Sequence, residues 1–566
     1  MTGATETPGR ESVARAYPVN PRRWWALAAT CVGLFMALLD VTIVNVALPT
    51  IGRDLNAQFS DLQWVINAYA LALAVLLVST GRIGDIFGRK RIFIAGLGLF
   101  SLGSLICALS SSVTIAGFSH IQVLIAARAF QGIGGSVMLP LSLAIISATF
   151  SGPLRGVAIG IYGAVTGLAT AIGPVIGGIL VEKVSWQSIF YLNVPIGVLG
   201  MLLALWAVTE SRDASAPRSI DVFGLVTLSV SLFCLVLALI QGNDVDKGWT
   251  SPYILTLFGI AALALIVFII GELRLKHPMV DPRLFANASF TGAAIVAFAL
   301  SAGLFSLFFF LTLYLQNYLG FSALDAGIRF LPLSGLVLVT APLAGAFTHR
   351  LGAKPIMFAG MAMIVAAVLL MTRISAGDAQ TDWLVLLPAF ILGGLGSGLV
   401  NPPIAEVAVG TVSRDRAGMA SGVSAVCRQI GTAFGIAFLG ALLTNRYDAR
   451  IHDQVLALSV PGVPPQQAPG ILQGIVSGVQ QAGTFAASTG FRNVPAQFAQ
   501  FAQFAQQPLF PQIQRIVQDS FIASLQDIFR IAAVILAVAA LAALVLVKKA
   551  DMRHASEDEP VSFGAS

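Results

Sequence analysis

Apolar stretches of about 20 residues recur along almost the whole chain, separated by short polar segments. Each is long enough to cross a hydrocarbon layer about 30 Å thick as a helix. They fall near 25-49, 62-80, 92-110, 121-148, 156-181, 189-209, 222-241, 253-271, 288-317, 326-348, 355-372, 384-409, 417-444 and 526-547. Inside a bilayer every backbone amide must be satisfied locally, so runs of this length mean a helical bundle rather than a barrel. The pattern predicts an all-α membrane protein with fourteen transmembrane helices.

A repeat organises these helices. The stretch GRIGDIFGRKRIFIAG (81–96) matches GAFTHRLGAKPIMFAG (345–360), pairing Gly81 with Gly345, Gly88 with Gly352, Lys90 with Lys354 and Gly96 with Gly360. Further along, Gly132, Gly134, Pro140, Gly160 and Gly173 fall opposite Gly394, Gly396, Pro402, Gly422 and Gly435. A nearly constant offset of this kind is the mark of a parallel internal duplication. It implies two six-helix bundles with two further helices inserted between them. The expected division is a tail over 1-24, a first bundle over 25-210, two inserted linker helices over 222-271 and the first five helices of a second bundle over 288-444. An extramembrane loop over 445-525, a last helix over 526-547 and a second tail over 548-566 complete it.

Polar positions orient the bundle. Arg and Lys concentrate in the segments that share a side with the first residues, among them Arg22, Arg23, Arg82, Arg89, Lys90, Arg91, Arg350, Lys354, Lys548 and Lys549. By the positive-inside rule both termini are cytoplasmic and the chain is a multi-pass protein of the cell (plasma or inner) membrane. The net charge of +6 reflects this bias and not nucleic-acid binding. The long loop carries the run PAQFAQFAQFAQQP (495–508), with Phe498, Phe501 and Phe504 recurring every third residue: either a short amphipathic helix at the membrane surface or a flexible linker.

Composition narrows the chemistry. Of 566 residues 57% are hydrophobic and 11% charged, whereas soluble domains carry roughly 25% charged residues. The four cysteines lie inside apolar segments without metal-ligand or redox spacing. No hydrolase, zinc-protease or nucleotide-binding pattern stands in a suitable context. The chain is therefore read as a non-enzyme without cofactor or bound metal, and an ion gradient is left as the energy source.

Asp40 is the first candidate site residue, because an ionisable group deep in an apolar helix is costly and faces a cavity or a partner. Apolar surroundings favour the neutral carboxyl, so a proton and a cationic substrate could compete for it; alternatively it only hydrogen-bonds neighbouring helices. Arg128 is the second intramembrane charge. Counted inward at about 1.5 Å per residue, both lie roughly 12 to 13 Å deep, so they can meet directly or through Gln131, as a proton-coupling pair or as a static one. Asn401 and Glu406 follow on a later helix beside Pro402 and Pro403, and are candidates for the substrate cavity, Glu406 being either a cation contact or interfacial. Arg428 and Arg329 are ambiguous. In the loop Gly81, Arg82, Asp85, Gly88 and Arg89, the glycines allow a tight turn and Asp85 can pair with an arginine or a helix N-terminus, as a conformational latch. Gly163, Gly167, Gly173, Pro174 and Gly177 place small residues on one helix face for close packing, with a bend expected at Gly173–Pro174.

Five segments occur in order on the expected helices: LDVTIVNVALP (39–49), GRIGDIFGRKR (81–91), RAFQGIGG (128–135), GAVTGLATAIGPVIGG (163–178) and WQSIFYLNVPIG (186–197). In these motifs the chain resembles the major facilitator superfamily, specifically its fourteen-helix drug:proton antiporters, over nearly its whole length from Trp24 to Leu546. The resemblance implies the major facilitator fold and a role for Arg128 in proton coupling. It also implies a latch in which Asp85 stabilises an outward-open state against the opposite half, and a fifth helix whose glycines help seal the pathway against proton leak. The function expected is proton-coupled efflux of drug-like small molecules, cationic or amphiphilic, by alternating access. The implied partners are that substrate, protons and the lipid bilayer, and a periplasmic adaptor partner is left open. An exporter of a lipid or secreted metabolite, or a membrane sensor or scaffold that transports nothing, are the rival readings.

Overall fold

A computed structural model describes residues 21–55, 59–113, 117–150, 153–212, 221–242, 248–275, 280–375, 379–412, 417–458 and 510–548, with positions 57, 278, 470, 472–477 and 479. The run 495–508 and both outermost tails lie outside the described residues. The first half contains α1 (Arg23–Asp54), α2 (Phe59–Phe87), α3 (Arg89–Leu109), α4 (His120–Thr149) and α5 (Pro153–Lys183). A single turn, α6 (Ser188–Tyr191), leads into α7 (Asn193–Ala207). The inserted pair is α8 (Val222–Gln241) and α9 (Pro252–Arg274). The second half holds α10 (Ala288–Leu300), α11 (Ser306–Leu313), α12 (Ala323–Leu351), α13 (Ala353–Met371), α14 (Ala379–Gly410), α15 (Ala417–Leu456) and α16 (Phe510–Leu546). Among the described residues thirteen helices are long and apolar enough to span a membrane, and α2, bent by 51° between Leu77 and Ser79, makes a fourteenth if taken as one span.

Side-chain chemistry explains the irregular elements. The expected span 288-317 is one run in which π-helical turns over Ser301–Phe305 and Tyr314–Tyr318 bracket α11, a wide-turn geometry that recurs at functional positions in helices. α5 runs continuously through Pro174, where the sequence predicts a local bend. Ser119 caps α4 by accepting from the Gln122 N–H while the Gln122 side chain accepts from the Ser119 N–H, which satisfies two otherwise orphan donors.

The duplication is visible in three dimensions. A Cβ built on Gly96 would stand 3.3 Å from the Gly134 carbonyl oxygen where α3 crosses α4; one on Gly360 would stand 2.9 Å from the Gly396 oxygen where α13 crosses α14. Likewise a Cβ on Gly173 would stand 2.8 Å from Thr42 Cβ of α1 and one on Gly435 2.7 Å from Ser306 Oγ at the start of α11, so the contact of α5 with α1 and that of α15 with the 288–317 run are the same joint built twice. Only glycine permits these approaches, which is why glycines mark the repeat.

One boundary is corrected. The segment expected as a loop over 445-525 is helical at both ends, because α15 continues to Leu456 and α16 starts at Phe510. Forty residues make about 60 Å of helix, twice the hydrocarbon thickness. The continuations pair through an amphipathic stripe: Tyr447, Ile451 and Val455 on α15 and Ile513, Val517 and Phe521 on α16 are buried together. Arg450 clamps them, donating to Ser524 Oγ at 2.7 Å and to Asp527 Oδ2 at 2.6 Å.

Candidate functional site

Arg128 and Gln131 stand one turn apart on α4 and so face the same way, toward α1. Arg128 Nη1 donates to Asp40 Oδ2 in a close ion pair and to Gln131 Oε1 at 2.6 Å, and its Nε donates to the Val65 carbonyl oxygen at 3.0 Å. Gln131 Nε2 donates to Asp40 Oδ1 at 2.7 Å and to Ser104 Oγ at 2.6 Å. Asn193, the first residue of α7, donates to the same Asp40 oxygen at 3.2 Å and to Ser104 Oγ at 3.0 Å. The guanidinium lies 4.5 Å from the centroid of the Tyr69 ring, a cation–π contact.

Asp40, Ser104 and Gln131 are 0% exposed and Arg128 and Asn193 1%. Four helices of the first half therefore converge on one carboxyl group, which accepts from three donors and faces no solvent. The pair expected between Asp40 and Arg128 is formed directly, with Gln131 bracing both. Tyr69, Ser104 and Asn193 went unremarked in the sequence. Asn193 had a signal, as the one amide in the apolar run IFYLNVPIG (189–197); Ser104 had none, being one of two serines on α3.

Asn401 lies elsewhere, in the second half. Its Oδ1 accepts from Arg428 Nη1 at 3.1 Å, and its Nδ2 donates to the Ser397 carbonyl oxygen at 3.0 Å. Glu406 is half-buried four residues before the end of α14. The geometry thus separates the four expected cavity residues into two groups, Asp40 with Gln131 in the first half and Asn401 and Glu406 on α14 in the second, where Asn401 bonds to Arg428.

At the arginine-rich end of the bundle, Arg89 Nε donates to Asp85 Oδ1 at 2.8 Å, an ion pair within the first half. Glu210, which the sequence reading did not single out, accepts from the Lys90 backbone N–H at 3.0 Å, a carboxylate placed at the start of α3 where the helix dipole favours it. Gly88 between α2 and α3 has φ 113° and Gly352, its repeat partner between α12 and α13, has φ 87°, so both turns use the left-handed region. Gly81 packs against Pro140, and Arg82 makes no ion pair among the described residues.

Two glycines of α5, Gly167 and Gly178, face α12. A Cβ on Gly178 would lie 2.6 Å from Leu324 Cα, and one on Gly327 of α12 would lie 2.8 Å from the Pro174 carbonyl. Further along α5 the corresponding distances are 2.8 Å from Gly167 to Val337 and 4.0 Å from Gly163 to Pro402; Gly160, although buried, has no atom within 4 Å. Along this seam the halves touch backbone to backbone at the Lys183 end and part toward the Pro153 end. Gly173 and Gly177 instead face Thr42 and Ile43 of α1. On the opposite seam α2 and α15 share an apolar cluster that includes Leu73, Leu77, Val423 and Val426.

A family model described as Major Facilitator Superfamily matches residues 30–436. The chain is 32% identical over 565 residues to the tetracenomycin C resistance and export protein of Streptomyces glaucescens, covering 99% of this chain and 98% of that one. It is 36% identical over 435 residues to the multidrug resistance protein Stp of Mycobacterium tuberculosis, covering 77% and 78%. Among solved structures, a bacterial homolog of the human lysosomal transporter Spinster, in an inward-facing and unoccupied conformation, matches with a TM-score of 0.54 at 17% identity over 96% of this chain and 99% of that one.

Proposed function

The chain belongs to the Major Facilitator Superfamily, and from that premise we propose that it is a proton-coupled antiporter that exports drug-like, amphiphilic small molecules by alternating access. It is a multi-pass membrane transporter and not an enzyme. Relatives named for antibiotic and multidrug resistance and for export support the choice of cargo and direction.

The observation that carries proton coupling is the buried network around Asp40. A carboxylate and a guanidinium at this depth cannot change charge independently. A proton arriving on Asp40 leaves Arg128 as an uncompensated buried cation, a cost of several kcal/mol, which is relieved only if α1 and α4 shift or admit water. Protonation is thereby converted into a difference in free energy between two conformations. The α5·α12 seam supplies the pivot: it is closed at the Lys183 end, and a rocking motion would exchange which end is tight. With the arginine-rich end facing the cytoplasm, both termini would be on the cytoplasmic side of the cell membrane. The Asp85–Arg89 pair at that end would act as the latch that sets the balance between the two states.

Purified protein in liposomes with an imposed pH gradient tests this reading. The wild type is expected to move a fluorescent amphiphile against its gradient until a protonophore collapses the drive, and Asp40→Asn is expected to bind the amphiphile without gradient-driven movement. Wild-type transport indifferent to the pH gradient, or full driven transport by Asp40→Asn, would refute it.

A further inference from the structure

We propose, building on the exporter reading above, that the transported molecules carry an oxyanion, a carboxylate or ionised phenol, on an apolar body, and that Arg428 is the group that receives it. Arg428 stands eleven residues into α15, about 16 Å from its start. Its side chain makes one hydrogen bond, to Asn401 Oδ1, and no ion pair among the described residues. A guanidinium has five N–H donors, so most of its capacity is unmet among the described residues. Asn401 is held by its own bond to the Ser397 carbonyl, which keeps the amide oxygen turned to the guanidinium. The Ser397 hydroxyl on the same helix is buried and has no hydrogen-bond partner among the described residues.

A charge held in a spanning helix without a counter-ion faces a cavity or awaits a partner. The surroundings of Arg428 identify which. Tyr162 of α5 lies within electrostatic reach of it from the other half. A Cβ built on Gly163, the next residue, would stand 4.0 Å from Cγ of Pro402, which follows Asn401, and one on Gly160, about a turn away, would meet nothing within 4 Å. The guanidinium therefore stands beside the place where the two halves part. It is half-buried, whereas Arg128 is sealed.

Charge balance sets the sign of the ligand. Asp40 and Arg128 cancel within their own network, and Asp40 already accepts three hydrogen bonds, so it offers a cation nothing. Glu406, only about 6 Å from the end of α14, makes no ion pair with Arg428. Arg428 is left as the uncancelled deep charge, and a planar guanidinium pairs with an oxyanion in a charge-assisted, two-point geometry.

A matched ligand series decides the matter on full-length protein in nanodiscs without any gradient: one naphthalene body bearing a carboxylate, a carboxamide or an aminomethyl group. The wild type is expected to bind the carboxylate at least about ten-fold tighter than the amide, with the ammonium weakest. Arg428→Gln is expected to bring the carboxylate-to-amide ratio close to one, and Arg428→Lys to keep most of it. Equal wild-type affinities, a preference for the ammonium, or a uniform loss of all three ligands in Arg428→Gln would overturn the site. If Arg428→Gln does not fold, the wild-type ratio and Arg428→Lys still decide. Selective binding without transport would sink the exporter reading and leave the site standing; gradient-driven transport of all three ligands alike would do the reverse.

Discussion

Removing both charges of the Asp40–Arg128 pair is predicted to damage the protein less than the sum of removing each alone. In Asp40→Asn the side chain keeps its shape but carries one donor end. Asp40 Oδ2 faces Arg128 Nη1 and Oδ1 faces the amide nitrogens of Gln131 and Asn193, so whichever way the new amide turns, its NH2 meets a donor. Arg128 meanwhile loses its counter-charge at 1% exposure. Breaking a buried pair from one side costs about 3–5 kcal/mol, and Arg128→Gln should cost a similar amount by stranding the carboxylate. The double variant leaves no net charge behind, and its loss should fall short of the sum of the singles by at least about 2 kcal/mol. The assay is retention of monodisperse protein after stepwise heating in detergent, read for all four members of the cycle beside gradient-driven exchange. Strictly additive stability losses would show that the two groups do not hold each other, and proton-driven exchange surviving in the double variant would remove the pair from the coupling step.

Gly178→Ala places a methyl 2.6 Å from Leu324 Cα, a backbone contact that cannot yield without parting α5 from α12; a loss of about 1–3 kcal/mol and faster labelling of a cysteine introduced at the Lys183 end are expected. Gly160→Ala, with nothing within 4 Å, should leave both readings unchanged, and equal behaviour of the two variants would refute the wedge-shaped seam. Gly88→Ala forces an L residue to φ 113° and sets its methyl 2.7 Å from the Glu210 carboxylate, so the heating assay should show a loss of about 1–3 kcal/mol; no loss would mean that the turn between α2 and α3 relaxes freely. Asp527→Asn weakens the clamp from Arg450 and Arg530, which lies partly open to water, by about 1 kcal/mol, to be seen as faster tryptic cleavage between α15 and α16; an unchanged rate would show that the apolar stripe alone holds the pair.

What could be read from the sequence follows the physics of each signal. Lipid forces uninterrupted apolar length, so the spans were legible, and close helix crossings force glycine, so the duplication was too. The Asp40–Arg128 pair was legible because two charges in hydrocarbon need each other. Averaged hydropathy, in contrast, discards the direction of a side chain around a helix. The pattern of Tyr447, Ile451 and Val455 among polar neighbours is amphipathic and not apolar, so the helical continuations beyond 444 and before 526 looked like loop. Ser104 and Glu210 were invisible for another reason: their partners, Gln131 and the Lys90 N–H, are distant in sequence and are brought to them only by the packing of α3.

The duplication also explains why charge chemistry resides in one half. Carrying the repeat offsets through, Asp40 corresponds to Leu304, Arg128 to Phe390 and Gln131 to Gly393. The register is secured by the shared joints at Gly173·Thr42 and Gly435·Ser306 and at Gly96·Gly134 and Gly360·Gly396. Where the first half seals an ion pair, the second packs the ring of Phe390 against Phe330 and that of Phe330 against Phe308, tilted, with centroids 5.4 Å and 5.5 Å apart. An apolar cluster cannot gain or lose a proton, so on the proposed cycle only the first half senses the gradient. The second half retains one deep charge, Arg428, at a different level and beside the seam. If the same residues both loaded the proton and gripped the cargo, a neutral cargo could not compete with the proton at all. Separating the two tasks between the halves lets the gradient drive the motion while the apolar surface and a single guanidinium choose the passenger.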